Sequence, residues 1–444
     1  MSSIIVISIH MHTIDLDMKE LTKVEGAASL HLRVRKGKVE KVEFAITEYK
    51  RFYTQAMQGK NVIAVPQLLA RICGTCSNAH LLCSIEACEH ALDITPTEQT
   101  LLLRKLTMYG LNIRDHALHL YLFVLPDIYG KDAFLDFDEN DPEQHQHLHD
   151  GFQIKEAGNL LALLISGRSV HAPYPTIGGF TKYPDPKEIP NVLAKLKAAR
   201  PAALRLVDTF VKAPFHFDRQ TNFMALVPKD DAFGYLDGCI TTGKGDCIEE
   251  QHYREHLERV VLPYSQALGY RHKQEPYMVG ALARINLNKD KLHPITRGTL
   301  GGVLQRFPST DIYDNNLAQA VEVLHCMDHA VELLENTTIT PEPIIKNPAR
   351  DAVGIGVVEA PRGTLYHKVV VEPSGKIKEG EIVVPTGQNQ LNMEEDIGTL
   401  VGQLLPEATK ETIQFEIEKL IRAYDPCMSC ASHFLKVNWD EGGA

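Results

Sequence analysis

Asp425-Pro426-Cys427-Met428-Ser429-Cys430-Ala431-Ser432-His433 places a Cys-x-x-Cys pair, a carboxylate and a histidine within nine positions near the chain's end. A matching stretch lies near the front, Arg71-Ile72-Cys73-Gly74-Thr75-Cys76-Ser77-Asn78-Ala79-His80. In each, a histidine follows the second cysteine, three residues on in the late stretch and four in the early one. Two such pairs supply four thiolates, soft ligands suited to zinc, iron–sulfur or other soft transition-metal centres. A structural zinc site with four cysteine ligands is the plainest reading. Its two pairs usually lie roughly 15–20 residues apart, whereas here about 350 residues intervene. The cysteines alone therefore predict a metal site and leave the metal open.

The remaining composition narrows the class. The chain has 444 residues, 44% hydrophobic and 23% charged, enough for one large core or two to three domains. A net charge of −11 argues against nucleic acid, which needs a basic face. The longest apolar runs, such as Leu160 to Ile165, are too short to span a bilayer. The start, MSSIIVISIHMH, has no basic segment before its apolar stretch and does not read as a secretory signal. Nine cysteines do not suggest a disulfide framework. Four read as ligands in a reducing compartment, and Cys83, Cys88, Cys239, Cys247 and Cys326 as buried free thiols.

Periodicity supplies the elements. Residues 29–46 alternate as a hairpin turning at Lys36-Gly37, just after Lys23-Val24-Glu25-Gly26. From Pro66 the chain reads as helical. A helix starting near Cys76 carries His80 over the same face, in reach of the Cys76 sulfur as a hydrogen-bond donor. Thr95-Pro96-Thr97-Glu98 reads as a helix start with Thr95 as cap. The leucine-rich helix that follows runs to Leu125 and ends at Pro126, about 45 Å of spine. Arg114, Asp115, His116 and His119 interrupt its apolar pattern and need partners or a function. Residues 136–150, with His145, His147 and His149, read as an exposed loop. Residues 187–217 read as a helix kinked or split at Pro201. Residues 218–310 read as short strands and loops, and Asn315 to Leu334 as an amphipathic helix. A last helix is capped by Thr409 and ends before Asp425-Pro426.

Both cysteine stretches resemble the signatures of the large subunit of nickel–iron hydrogenases, Arg-x-Cys-Gly-x-Cys-x-x-x-His early and Asp-Pro-Cys-x-x-Cys-x-x-His late. Three further segments carry the likeness: Gly167-Arg168-Ser169-Val170-His171-Ala172-Pro173 with Gly178-Gly179-Phe180, Val358-Glu359-Ala360-Pro361-Arg362-Gly363-Thr364-Leu365-Tyr366-His367, and Val384-Pro385-Thr386. The resemblance spans nearly the whole chain. It implies an α+β fold, helix-rich, with a long central helical bundle and peripheral small sheets, as one domain over 1–444.

It also implies a function: reversible heterolytic cleavage of H2, with electrons passed on. Cys73 and Cys427 would bind nickel terminally, and Cys76 and Cys430 would bridge nickel and iron. The iron would carry carbon monoxide and cyanide ligands, contacted by Pro385 and Thr386. Glu25 would relay protons. Arg362 would lie over the metals, held by Asp115 and Asp425, and His80 would support the cysteines. The family's extra magnesium or iron ion is in doubt, because Tyr53 stands where its glutamate ligand is expected. His433 would share that ion, and an endopeptidase would remove the tail 434–444 after nickel insertion. Implied partners are an iron–sulfur small subunit, since the chain has no spare cysteine set for clusters, further electron-transfer subunits, and nickel chaperones. Ser429 and the Gly-Gly-Phe segment look more like the soluble, cofactor-linked members, and the expected location is cytoplasmic. Two other readings remain: a non-catalytic relative, as in respiratory complex I, against which the four retained cysteines argue, and a zinc-stabilised structural protein.

Overall fold

Alternation of apolar and polar residues builds the entry to the chain. Strands β1 (Ile14–Met18), β2 (Ala28–Arg35) and β3 (Lys38–Ile46) form an antiparallel meander, with Leu30, Leu32 and Val34 turned to the core. The computed structural model describes residues 13–49, 52–229, 232–243 and 245–432.

The centre is helical. Helix α1 (Ser77–Leu92) begins directly after Cys76. Helix α2 (Glu98–Leu118) is capped by Thr97, whose side chain accepts from Thr100 N at 3.1 Å. The cap is thus Thr97 and not Thr95, because the chain stays extended through Pro96. The helical path does not stop at Pro126. It passes through a π-helical turn, His119–Val124, and continues as Leu125–Ile128. The wider turn restarts the helix, so Pro126 falls in a first turn, where its missing N–H costs nothing.

Helix α3 (Pro142–Ser166) corrects the loop expected over 136–150. Asp141 accepts from Glu143 N and Gln144 N, Pro142 takes the first helical position, and the histidines are helical. Helix α4 (Ile189–Val211) continues through Pro201. Helix α5 (Asp314–Asn336) is almost wholly buried along its first four turns. A second antiparallel sheet, β4 (Ala352–Ala360), β5 (Gly363–Val371) and β6 (Ile377–Val383), packs on α1. Helices α6 (Pro385–Leu404) and α7 (Lys410–Ala423) follow, α7 capped by Thr409 as expected, and one short helical turn, Met428–Ala431, lies beyond them.

Helices α2 and α3 cross at Gly110 and Gly158. A Cβ on Gly158 would sit 2.7 Å from Arg114 N, and one on Gly110 2.8 Å from Ala162 N, so only glycine permits this approach. The crossing fixes the turn of α2 that carries Arg114 and Asp115. Cys239 and Cys247 are not free thiols: they are joined as a disulfide, their Cα atoms 5.4 Å apart, because a hairpin brings the two together. Cys83, Cys88 and Cys326 are free and buried. Among the described residues no helix is long and apolar enough to cross a membrane.

Candidate metal centre

The two cysteine segments meet at one buried point. The loop ahead of α1 supplies Cys73 and Cys76. The loop after α7 supplies Cys427 and Cys430. Their four sulfurs lie within 4.8 Å of one another, the one such group among the described residues. The first cysteine of each pair faces the other first, Cys73 Sγ to Cys427 Sγ at 3.4 Å, and the second faces the second, Cys76 Sγ to Cys430 Sγ at 2.9 Å. Cys427 and Cys430 are also 2.9 Å apart.

This donor set calls for cations. Hydrogen bonding, first from Cys427, holds the Cys73 thiol well below its usual range. Burial pushes Cys427 and Cys430 well up. At Cys76 the thiols of Cys427 and Cys430 pull downward, but Cys73 and burial win and leave it at about 11. One buried thiolate thus suppresses its neighbours, and only positive charge among the sulfurs lets all four ionise. Soft, buried and convergent, they fit a nickel and an iron ion.

Glu25 arrives on the segment after β1. It forms a parallel bridge with Cys427, and its carbonyl accepts from Met428 N at 2.9 Å. The Cys427 thiol donates to Glu25 Oε2 at 2.9 Å, and Ser429 N donates to the same oxygen at 3.2 Å. Gly26 makes this approach feasible, since its φ is +82° and a Cβ there would lie 2.9 Å from Met428 Cβ. Burial raises the Glu25 carboxyl above its usual range, the Cys73 charge adds to this, and the bonds from Cys427 and Ser429 oppose it.

Arg362, at the turn between β4 and β5, lies between two buried carboxylates. Its Nη1 donates to Asp115 Oδ2 at 2.7 Å, and its Nη2 is 2.9 Å from Asp425 Oδ1. Burial alone would lower its basicity, but Asp115 and Asp425 more than reverse this. Asp425 takes a left-handed backbone, φ 52°, which turns the chain out of α7 into the cysteine loop. Thr386, second residue of α6 after Pro385, accepts from Cys427 N at 2.9 Å. His80 Nδ1 meets His367 Nε2 at 3.1 Å. Tyr53 donates to Arg71 O at 2.6 Å, propping the first cysteine loop. His433 and the tail 434–444 lie outside the described residues.

Sequence reading missed several supports. Gln319 Nε2 donates to Asp425 Oδ2 at 2.9 Å, and His119 Nδ1 meets Gln319 Oε1 at 2.6 Å. His116 Nε2 meets Glu322 Oε2 at 2.9 Å, and Arg114 donates to Thr75 O. The polar residues that interrupt α2 are thus tied to α5 and to the cysteine loop. The His171 loop encloses the same region: His171 N donates to Ser77 Oγ at 2.9 Å, and His171 Nδ1 meets Ala70 O at 3.0 Å. The α2 interruptions were visible in the sequence, but their partners on α5 carried no motif.

The family model for nickel-dependent hydrogenases matches residues 51–148 and 250–433, which include all four cysteines. The chain belongs to the nickel-dependent hydrogenase family. Sulfhydrogenase 2 subunit alpha of Pyrococcus furiosus is 32% identical over 426 residues, covering 95% of this chain and 100% of that protein. Sulfhydrogenase 1 subunit alpha of the same organism is 29% identical, covering 95% and 98%. The NAD-reducing hydrogenase HoxS subunit beta of Cupriavidus necator is 26% identical, with 94% of each covered. In fold, the chain is similar to the crystal structure of an NAD+-reducing [NiFe]-hydrogenase in its H2-reduced state, with a TM-score of 0.84, 24% identity, and 95% of this chain and 100% of that one covered. This nickel-dependent hydrogenase chain is therefore a large, catalytic subunit of α+β fold, an oxidoreductase acting on H2.

Proposed function

We propose that Cys73, Cys76, Cys427 and Cys430 would hold a nickel–iron pair, Cys73 and Cys427 serving nickel alone and Cys76 and Cys430 shared with iron, and that carbon monoxide and cyanide would complete the iron. The observation that supports this reading is the convergence of four buried sulfurs within 4.8 Å of one another in a chain of the nickel-dependent hydrogenase family. When bound, the metal pair supplies the Lewis acidity and redox capacity that split H2 heterolytically.

The chain's own residues handle the charge. Cys427 Sγ takes up the proton. Glu25, in direct hydrogen-bond reach and with its carboxyl raised by burial, carries it outward. Arg362 supplies a fixed positive charge over the site, aimed by Asp115 and Asp425. Thr386 Oγ1 holds the Cys427 loop by accepting from the Cys427 N–H, and Pro385 and Thr386 would contact the diatomic ligands of the iron. His80, with His367 behind it, supports the bridging Cys76. Tyr53, which donates to Arg71 O, stands where a carboxylate ligand for an additional magnesium or iron ion is expected.

Electrons leave to an iron–sulfur partner subunit and onward to further electron-transfer subunits. The enzyme is of the soluble, cofactor-linked type and cytoplasmic. The chain acts as one domain, matured by nickel chaperones and by removal of 434–444 after His433. Cys430→Ser tests the bridging role: it should lose iron as well as nickel, and normal iron content would refute it. The intact mass of the active, nickel-loaded chain tests the cleavage, and a full-length mass with full activity would overturn it.

A further inference from the structure

His145 and His149 stand one turn apart near the start of α3, both exposed. Their Nε2 atoms face each other at 3.1 Å, and the ring centroids are 4.5 Å apart. His147 points the other way, is buried, and meets Tyr129 Oη at 3.0 Å. Asp150 accepts from Arg205 at 2.7 and 2.6 Å. These inward anchors fix the rotation of the helix, so the exposed pair is held in place rather than swinging on a loose end.

We propose that His145 and His149 form a second metal site, a two-imidazole chelate for a divalent transition cation of the zinc, nickel and copper class. Two nitrogens bound to one cation at about 2.1 Å, with an angle between about 90° and 109°, lie about 3.0–3.4 Å apart. The observed 3.1 Å falls in that interval. In the neutral, metal-free pair one ring donates an Nε2–H to the other; on binding, that ring shifts its proton to Nδ1 through solvent, and both Nε2 lone pairs turn to the cation. Water completes the coordination. Imidazole nitrogen selects against magnesium and calcium, which take oxygen ligands. The partial positive charge of the helix N-terminus opposes a cation here. Asp141, which caps Glu143 N and Gln144 N at 2.9 and 3.1 Å, and Glu143 in the first turn offset it. The pair shares no residue with the four-cysteine centre, so the two sites load independently.

The test is zinc uptake by the purified holoenzyme, cleared of loosely held metal, in equilibrium dialysis against zinc chloride at pH 7.5. One zinc per chain should bind beyond the resident metals. It should be released by a chelator such as EDTA without loss of the resident metals. His145→Ala and His149→Ala should each weaken binding at least tenfold, with H2 turnover unchanged. No uptake beyond the resident metals, or wild-type uptake by the double variant, would overturn the assignment.

Discussion

Replacing Arg362 with lysine keeps the charge and removes the fork. The guanidinium now reaches Asp115 Oδ2 at 2.7 Å and Asp425 Oδ1 at 2.9 Å together, and a single ammonium reaches one of them. Asp425 keeps its bond from Gln319, whereas Asp115 Oδ1 has no hydrogen-bond partner among the described residues. Lysine should therefore side with Asp115 and leave Asp425 on the amide alone. Loosening this buried ion pair leaves Asp425 less compensated, a cost of about 1–3 kcal/mol for a buried polar group, tolerable against a typical stability of roughly 5–15 kcal/mol. The catalytic effect should be larger. A fixed buried donor aimed at developing charge is worth about 10²–10³ in turnover, roughly 2.7–4 kcal/mol. Arg362→Lys should thus fold, load its metals, and reduce an artificial electron acceptor with H2 at least about 100-fold more slowly. Metal content, melting temperature and H2-dependent dye reduction on one preparation separate the terms. Full metal content with turnover within a few-fold of the parent would remove Arg362 from the mechanism.

Glu25→Gln should retain the metals yet slow H2/D2 exchange with solvent by about 10²-fold or more, the usual scale of general acid–base catalysis; unchanged exchange would move the proton path elsewhere. Gly158→Ala should lower stability by about 1–3 kcal/mol, since the new methyl meets Arg114 N at 2.7 Å, and an unchanged melting temperature would contradict the close crossing of α2 and α3. Glu394, buried beside Tyr264 and bonded by Phe44 N at 2.9 Å, has its carboxyl pushed by burial up to about 7. Because its folded pKa exceeds the unfolded value, its contribution is full below about pH 4.5 and lost as pH rises through 7, up to roughly 3 kcal/mol. Glu394→Gln should flatten that decline, and parallel melting curves for the two proteins would refute it.

The centre was legible where chemistry demanded residue types at fixed spacing. The two Cys-x-x-Cys pairs sit 354 residues apart, and it is the fold that brings them together. The hairpin, the Thr409 cap and the stop before Pro426 followed from local rules of alternation and capping. What escaped was set by tertiary packing. A run of histidine and acid reads as loop on composition, yet Asp141 and Pro142 start a helix there, and His147 is buried only because Tyr129 and Tyr121 surround it. Thr95 reads as the cap in sequence because Pro96 suits a first helical position and Glu98 completes a capping box, yet the chain stays extended through Pro96 and Thr97 caps instead. Gln319 has no local pattern at all, and His367 ends a family segment that does not name its partner. They matter because α5 and β5 bring them to Asp425 and His80.

The central claim is the identity of the metals, and one preparation decides it. Native protein purified without added metal should contain one nickel and one iron per chain, with infrared absorption from carbon monoxide and cyanide bound to the iron. Stoichiometric zinc at the four cysteines, with no such bands, would contradict the account.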